Sequence, residues 1–230
     1  MRYLIVLFLW AQASAAELTV TAYPTIQAAL DANPNRMLFV PAGDYPITEK
    51  IRIRGQRSGL FGHGRIIQQN AAQPIVEIEE ATEAEIRDLT LTRPEGKMET
   101  RNEGIVAIKC RDLVIENVRV IDNRGPAGAI TLRESQNCRI SRCLVRNYMR
   151  VSIDDRTKSL EWGYAFNCTD GTGISVSYSS GTHIEGNRII EEKPTPDFSD
   201  KSDLDHSSIP RAARIWALVI NLNRSYNESK

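Results

Sequence analysis

Past its first sixteen residues the 230-residue sequence contains no apolar run approaching the about 20 residues that a membrane-spanning helix requires. It also lacks an excess of either charge, with 29 Lys+Arg against 29 Asp+Glu. That balance removes any whole-chain electrostatic case for a nucleic-acid or polybasic membrane partner. Its four cysteines, Cys110, Cys138, Cys143 and Cys168, form no CxxC pair, so the spacing of a structural zinc site is missing. Only three histidines occur; His183 and His206 sit in polar contexts without partners at ligand spacing and read as surface or structural residues. With 41% hydrophobic and 25% charged residues the chain is neither disordered nor collagen-like, and its length suits one compact domain or a solenoid.

The beginning of the chain stands apart. Arg2 precedes the apolar run 3–10, and small residues follow through Ala16, the layout of a secretory signal peptide over residues 1–16. The expectation is an exported protein that is soluble once the segment is removed. Export makes the four cysteines eligible for disulfides, and two readings stand side by side: one disulfide that involves Cys168, or four buried or half-buried thiols.

The most informative feature is a repeated pair of short apolar stretches. Residues 75–78 are coupled to 86–91, 105–108 to 115–120, 129–132 to 140–145, and 174–176 to 184–189. From the last apolar residue of each first stretch to the first of its second the count is eight, seven, eight and eight. Within each second stretch the apolar residues fall at i, i+3 and i+5: Ile86, Leu89, Leu91; Ile115, Val118, Val120; Ile140, Cys143, Val145; and Ile184, Asn187, Ile189. Positions three apart cannot share a face of a straight strand, whereas positions two apart can. A bend between i and i+3 reconciles them, which makes each copy two strands meeting at a corner, with inward residues stacking from copy to copy. This is the geometry of a parallel β-helix. An antiparallel sandwich would need hairpin turn signals between the paired stretches, and they are missing. Asn187 is the polar exception in the inward column, where an Asn can satisfy itself on the backbone of the turn.

Upstream, residues 24–34 carry apolar residues at Ile26, Ala29 and Leu30, with Thr25 as a cap and Pro34 as a stop, as a short amphipathic helix should. A solenoid leaves its core open at the ends, so this helix is expected to lie across the first coil. Residues 37–40, the Pro41-Ala42-Gly43-Asp44-Tyr45 turn, Ile51 and Ile53, and residues 59–67 follow as the opening strands.

The run TIQAALDAN…LFVPAGDYPITEKIRI…GLFGHGRII resembles the start of the pectate-lyase superfamily domain, the right-handed parallel β-helix group with rhamnogalacturonase-like and epimerase-like members. The likeness covers residues 23–67, and the coils to 190 agree in style. It implies an all-β fold, a right-handed parallel β-helix with a short N-terminal capping helix, and it implies action on a carbohydrate polymer, as polysaccharide lyase or glycoside hydrolase on an acidic or pectin-like substrate. Similar β-helices also serve as binding or surface-structural proteins, so a non-catalytic carbohydrate-binding module is the second reading. Gly62-His63-Gly64 is read as a structural turn, because it lies in the opening coil. The organisation expected is a signal peptide at 1–16, an N-terminal cap at 17–45, about five or six coils over 46–190, and a linker with a tail or partial cap at 191–230. Residues 215–220 either cap the open end or mark a shortened version of a longer β-helix.

Function in a solenoid concentrates in its excursions, since the strands already have their partners. The segment from Arg146 to Gly173 runs for 28 residues, against 13 for 92–104 and eight for 121–128. It holds Tyr148, Trp162, Tyr164 and Phe166; Trp162, Tyr164 and Phe166 alternate, so an extended backbone puts their rings on one face, where sugar rings stack. Asp154, Asp155 and Asp170, with Arg150 and Lys158, are the candidate catalytic groups; Trp162, Tyr164, Arg156 and Glu161 are the candidate substrate contacts. Two carboxylates about 5–5.5 Å apart suit retaining hydrolysis, and about 6.5–9.5 Å suit inversion. The alternative is elimination, in which carboxylates hold Ca²⁺ against a uronate while Arg or Lys removes the α proton. Adjacent Asp154 and Asp155 would point to opposite faces of a strand. No metal ligands are assigned, and calcium enters only if the chemistry is that of a lyase.

Overall fold

The computed structural model describes residues 18–152, 158–159, 163–164, 168–192 and 218–221; the side chains of residues 150–170 and 218–221 lie outside that description. After a 3-10 turn (Val20–Ala22) and helix α1 (Ile26–Ala32), the chain enters its first coil through β1 (Met37–Ile47), β2 (Ile51–Gln56) and β3 (Gly59–Gln68). Three coils follow: β4 (Val76–Thr82), β5 (Glu85–Arg87) and β6 (Thr90–Thr92); β7 (Ile105–Ile108), β8 (Val114–Glu116) and β9 (Arg119–Ile121); β10 (Gly128–Arg133), β11 (Arg139–Ser141) and β12 (Leu144–Arg146). The winding is interrupted by β13 (Arg150–Ser152), β14 (Lys158–Ser159), β15 (Gly163–Tyr164) and β16 (Cys168–Asp170). It resumes with β17 (Thr172–Ser177), β18 (His183–Glu185), β19 (Arg188–Ile190) and β20 (Leu218–Asn221).

Three parallel faces result. The first stacks β1, the start of β3, β5, β8, β11 and β18; the second stacks the ends of β1 and β3 with β6, β9, β12 and β19; the third stacks β2, β4, β7, β10, β17 and β20. Leu38, Leu60, Ile86, Ile115, Ile140 and Ile184 are successive register partners up the first face. On the third face the column is Ile51, Val76, Ile105, Ile130, Ile174 and Leu218. The inward residues from coil one to coil four are almost fully buried, and each large one contributes about 1.5–3 kcal/mol by leaving water.

The corners explain the i, i+3 spacing. Asp88, Asn117, Arg142 and Gly186 hold the position two after Ile86, Ile115, Ile140 and Ile184, and all four have positive φ, between 52° and 63°. A left-handed residue there turns the chain so that i and i+3 both face inward. Such a backbone costs a non-glycine residue about 1–2 kcal/mol. The three non-glycine corners offset that cost by sending their N–H groups to the next coil: Asp88 to the Glu116 carbonyl at 3.2 Å, Asn117 to the Ser141 carbonyl at 3.0 Å and Arg142 to the Glu185 carbonyl at 3.1 Å. Carboxamides add to the stack: the Asn117 amide donates to Asp88 at 2.6 Å and the Asn147 amide to Asp122 at 2.7 Å.

The corner between the third and first faces refines the repeat. The register partner of Ile78 and Leu132 is Ala107, so Ile108 faces outward and the spacing from the last inward residue to Ile115 is eight, as in the other copies. Inward residues then follow at intervals of three, three and two, giving the columns Ala81–Cys110–Ser135–Ser179 and Ala84–Leu113–Cys138–Thr182. Cys110, Cys138 and Cys143 stand in three different columns and are buried free thiols. Cys168 lies in β16, where side chains are outside the description.

Helix α1 closes the first coil as expected. Thr25 caps it by accepting from the Ala28 N–H, and Ile26, Ala29 and Leu30 are buried. Its Gln27 reaches the unpaired edge of β2, accepting from the Arg52 N–H at 2.7 Å, and Asn35 accepts from the Gln56 N–H at 3.0 Å. Side-chain amides thus finish an edge that would otherwise offer its backbone to another strand. Residues 37–47 form one strand rather than a strand and a turn; the Pro41–Gly43 region is absorbed as a register irregularity between Val40 and Gly43. Among the described residues no helix is long and apolar enough to cross a membrane, and residues 1–17 lie outside the description.

Candidate functional site

Two of the three corners are tight, and only the corner leading from the second face to the third takes up variable length. Its connections span residues 48–50, 69–75, 93–104, 122–127, 147–171 and 191–217, so every long excursion leaves the solenoid beside the incoming edge of the third face. A surface built there is bounded by the incoming edge of that sheet and by the excursions.

The roots of these excursions are stitched by two buried arginines. Arg93, 3% exposed, spends its guanidinium on the Asn70 carbonyl at 3.0 Å, the Gln73 carbonyl at 2.8 Å and the Asn123 side chain at 2.7 Å. Burial lowers its pKa to about 10, which leaves it cationic at neutral pH. One coil later Arg124, also 3% exposed, donates to the Met149 carbonyl at 2.5 Å and lies 3.0 Å from the Glu191 carboxylate. The Met149 N–H donates to the other Glu191 oxygen at 3.1 Å. Burial holds the Glu191 carboxyl above its usual range, against the lowering effect of the Met149 N–H and Arg124. Burial, then Glu191, raises the Tyr148 phenol in turn. Gly171 completes this root: its φ is 130°, and a Cβ there would meet the Gly125 and Tyr148 backbone at 3.0 and 3.1 Å. The base of the long excursion is therefore fixed by the coil below it and by the chain leaving β19.

Above that base β13 and β16 pair antiparallel, and so do β14 and β15. This register makes Arg150 the partner of Asp170, and Lys158 the partner of Tyr164. Two pairs of candidate residues are thus neighbours across rungs; their side chains lie outside the description. Asp154, Asp155, Arg156, Glu161 and Trp162 fall wholly outside the described residues, as does Phe166. The residues that sequence reasoning missed are Arg93, Arg124 and Glu191. Their only signal is positional, a long charged residue just after the inward triplet of a coil, in a slot where solvent exposure is the default expectation.

The outer side of the third face carries charges that are largely paired. Lys50 bridges to Glu77 at 2.5 Å, Arg52 lies 3.8 Å from the same carboxylate, Arg54 pairs with Glu79, and Arg133 reaches Glu103 at 2.9 Å. Between these pairs Val106 and Thr131 face outward yet are 5% and 2% exposed, so this part of the sheet is covered. A cleft of about 1070 Å³ opens at the other end, between α1 and the first coil. It lies away from the excursions, and its cations Lys50, Arg52 and Arg54 are those already paired with Glu77 and Glu79. Among the described residues no three His, Cys, Asp or Glu side chains cluster as metal ligands would.

No curated protein matches this sequence. Among solved structures, the crystal structure of the Agl-KA catalytic domain is similar at 12% identity with a TM-score of 0.34, covering 76% of this chain and 42% of that one. The chain thus spans under half the length of that protein, and a likeness at this level carries no functional weight. A family model described as the right-handed beta helix region matches residues 48–203. That span and the three parallel faces agree: the chain belongs to the right-handed β-helix family.

Proposed function

We propose that this protein is an exported carbohydrate-active β-helix, a polysaccharide lyase or glycoside hydrolase acting on an acidic or pectin-like polymer. The polymer lies at the edge of the third face from which the excursions leave, against the long excursion between Arg146 and Gly173. The observation that carries this reading is the confinement of all variable connections to one corner, with an antiparallel finger on an anchored base that pairs Arg150 with Asp170 and Lys158 with Tyr164 in register. A cation, a carboxylate and an aromatic ring beside a solenoid groove are the groups that binding and cleaving a sugar polymer require.

One observation favours a second reading, a non-catalytic binding module: the described carboxylates of the third face, Glu77, Glu79 and Glu103, are each engaged by a cation. A panel of uronic and neutral polysaccharides, with and without chelator, separates the two. Ultraviolet absorbance of unsaturated uronates reports elimination, and reducing ends without that absorbance report hydrolysis. Loss of turnover in Asp154→Asn or Asp155→Asn with an unchanged unfolding midpoint supports the enzyme, and unchanged turnover removes those residues from the site. Binding without turnover on every polymer establishes the module.

A further inference from the structure

The outer side of the second face carries two columns of side chains. The column beside the first face runs Arg65, Thr90, Arg119, Leu144 and Arg188, each the register partner of the next. The column beside the excursions runs Ile67, Thr92, Ile121, Arg146 and Ile190. Thr92 and Ile121 are only 8% and 7% exposed, so this second column is covered in the middle coils. The first column stays open: its three arginines are exposed, and Thr90 and Leu144 are half-buried. An arginine therefore stands on every second coil, and two steps of a strand stack measure about 9.6 Å. Arg65 is paired with Asp44, its register partner in β1. On the neighbouring columns Arg142 pairs with Glu116 and Arg146 with Glu192, whereas Arg119 and Arg188 take part in no ion pair or side-chain hydrogen bond among the described residues. The carboxylates that bound the face, Asp88 at one corner and Asp122 at the other, each accept from an Asn amide instead. Two unpaired cations thus face solvent in one column, with an aliphatic side chain between them.

We propose that the outer side of the second face is a binding ladder for a linear acidic polysaccharide lying along the solenoid axis, with Arg119 and Arg188 each taking one carboxylate and Leu144 lying under the sugar between. This rests on the carbohydrate reading above and extends it from the edge of the third face to the face that precedes that corner. In a two-fold extended polysaccharide successive rings are turned over, so like-facing carboxylates recur on every second sugar, the alternation that the arginines show. A guanidinium grips a carboxylate through two parallel N–H donors. The half-buried Leu144 offers its remaining apolar surface to the C–H face of the intervening ring. Each exposed ion pair is weak by itself, so affinity comes from engaging both at once. The parallel ladder fixes the spacing of the column, which makes the match a property of the backbone. The class of ligand is a uronate polymer with carboxylates on alternate sugars of one side.

The test uses the full chain, the double variant Arg119→Gln/Arg188→Gln, and a control that removes two exposed cations at another corner, Lys109→Gln/Arg111→Gln. Each is titrated by affinity electrophoresis and calorimetry against polymannuronate, polygalacturonate and a neutral mannan. All four side chains are exposed, so the thermal midpoints should not move and a loss of affinity is not a loss of fold. The expected result, on the tighter-binding acidic polymer, is a loss of about tenfold for the second-face variant and less than about twofold for the control. Added salt should weaken the unmodified chain more than the second-face variant. Equal affinity of that variant and the unmodified chain overturns the ladder alone. Equal losses in the two double variants overturn it as well, because the attraction is then diffuse charge, and so does a mannan bound as tightly as the acidic polymers. Absence of binding by the unmodified chain to every polymer overturns the carbohydrate reading, and the ladder with it.

Discussion

Asn187 stands directly above Cys143 in an inward column and spans the corner below it: its side-chain oxygen accepts the Cys143 N–H at 2.8 Å and its amide donates to the Ile140 carbonyl at 2.9 Å. The same device recurs at another corner. Ser135 accepts the Cys110 N–H at 3.0 Å, and Ser179 accepts the Ser135 N–H at 3.0 Å. Polar residues in these columns therefore satisfy the backbone of the preceding coil. Asn187→Leu matches the apolar occupants of the other coils but strands one donor and one acceptor. It should lower unfolding stability by about 1–3 kcal/mol in denaturant titration; a neutral or stabilising result would show that the bonds contribute nothing.

Gln27 finishes the first coil, so Gln27→Ala should cost about 1 kcal/mol by leaving the Arg52 N–H bare. Gln27→Glu keeps that acceptor, but it loses the donation to Asp31 at 2.8 Å and places two carboxylates together. Its deficit in thermal midpoint should be larger at neutral pH than below the carboxylate range, and a pH-independent deficit would refute the charge argument.

Arg124→Ala leaves Glu191 buried without its cation and should cost about 3 kcal/mol, with faster proteolysis of the long excursion. The pH dependence has a definite sign. The folded Glu191 carboxyl holds its proton to higher pH than the unfolded one, so its contribution to stability is present at low pH and is lost as pH rises through its raised value. Arg124 and Tyr148 are the groups facing it. Glu191→Gln should flatten this part of the stability profile, and Arg124→Ala should extend the decline to higher pH.

In a Cys168→Ser chain no thiol should react with an aromatic disulfide reagent under native conditions, and three should react on unfolding, because Cys110, Cys138 and Cys143 are buried. Burial raises Cys138 and Cys143 to about 11. Folded thiols keep their protons after unfolded ones have lost theirs, so stability should fall as pH climbs from the ordinary thiol value through about 11, on the order of 3 kcal/mol for each of these two. Replacing both by Ala should remove that alkaline component.

Ala107 faces the core and Ile108 faces out, so Ala107→Leu should destabilise by about 1–3 kcal/mol through overpacking while Ile108→Thr stays within about 1 kcal/mol. The opposite order in equilibrium unfolding would reverse the register of β7.

The apolar intervals determined the winding by themselves, because a residue three along can share an inward face only if the chain bends between. The cap was equally local: Thr25, the Ile26–Leu30 stripe and Pro34 are helix chemistry that needs no partner to be read. What the intervals left open was decided by neighbours in space. Ile108 is more apolar than Ala107, and only the stacking of Ile78 and Leu132 settles which of them turns inward. Arg93 and Arg124 have the composition of surface residues, and their burial depends on carbonyls and a carboxylate supplied by segments 20 to 67 residues away. Local sequence carries backbone preference and periodicity; it carries no record of which distant group will meet a buried charge, and that is the part the coiled structure alone decides.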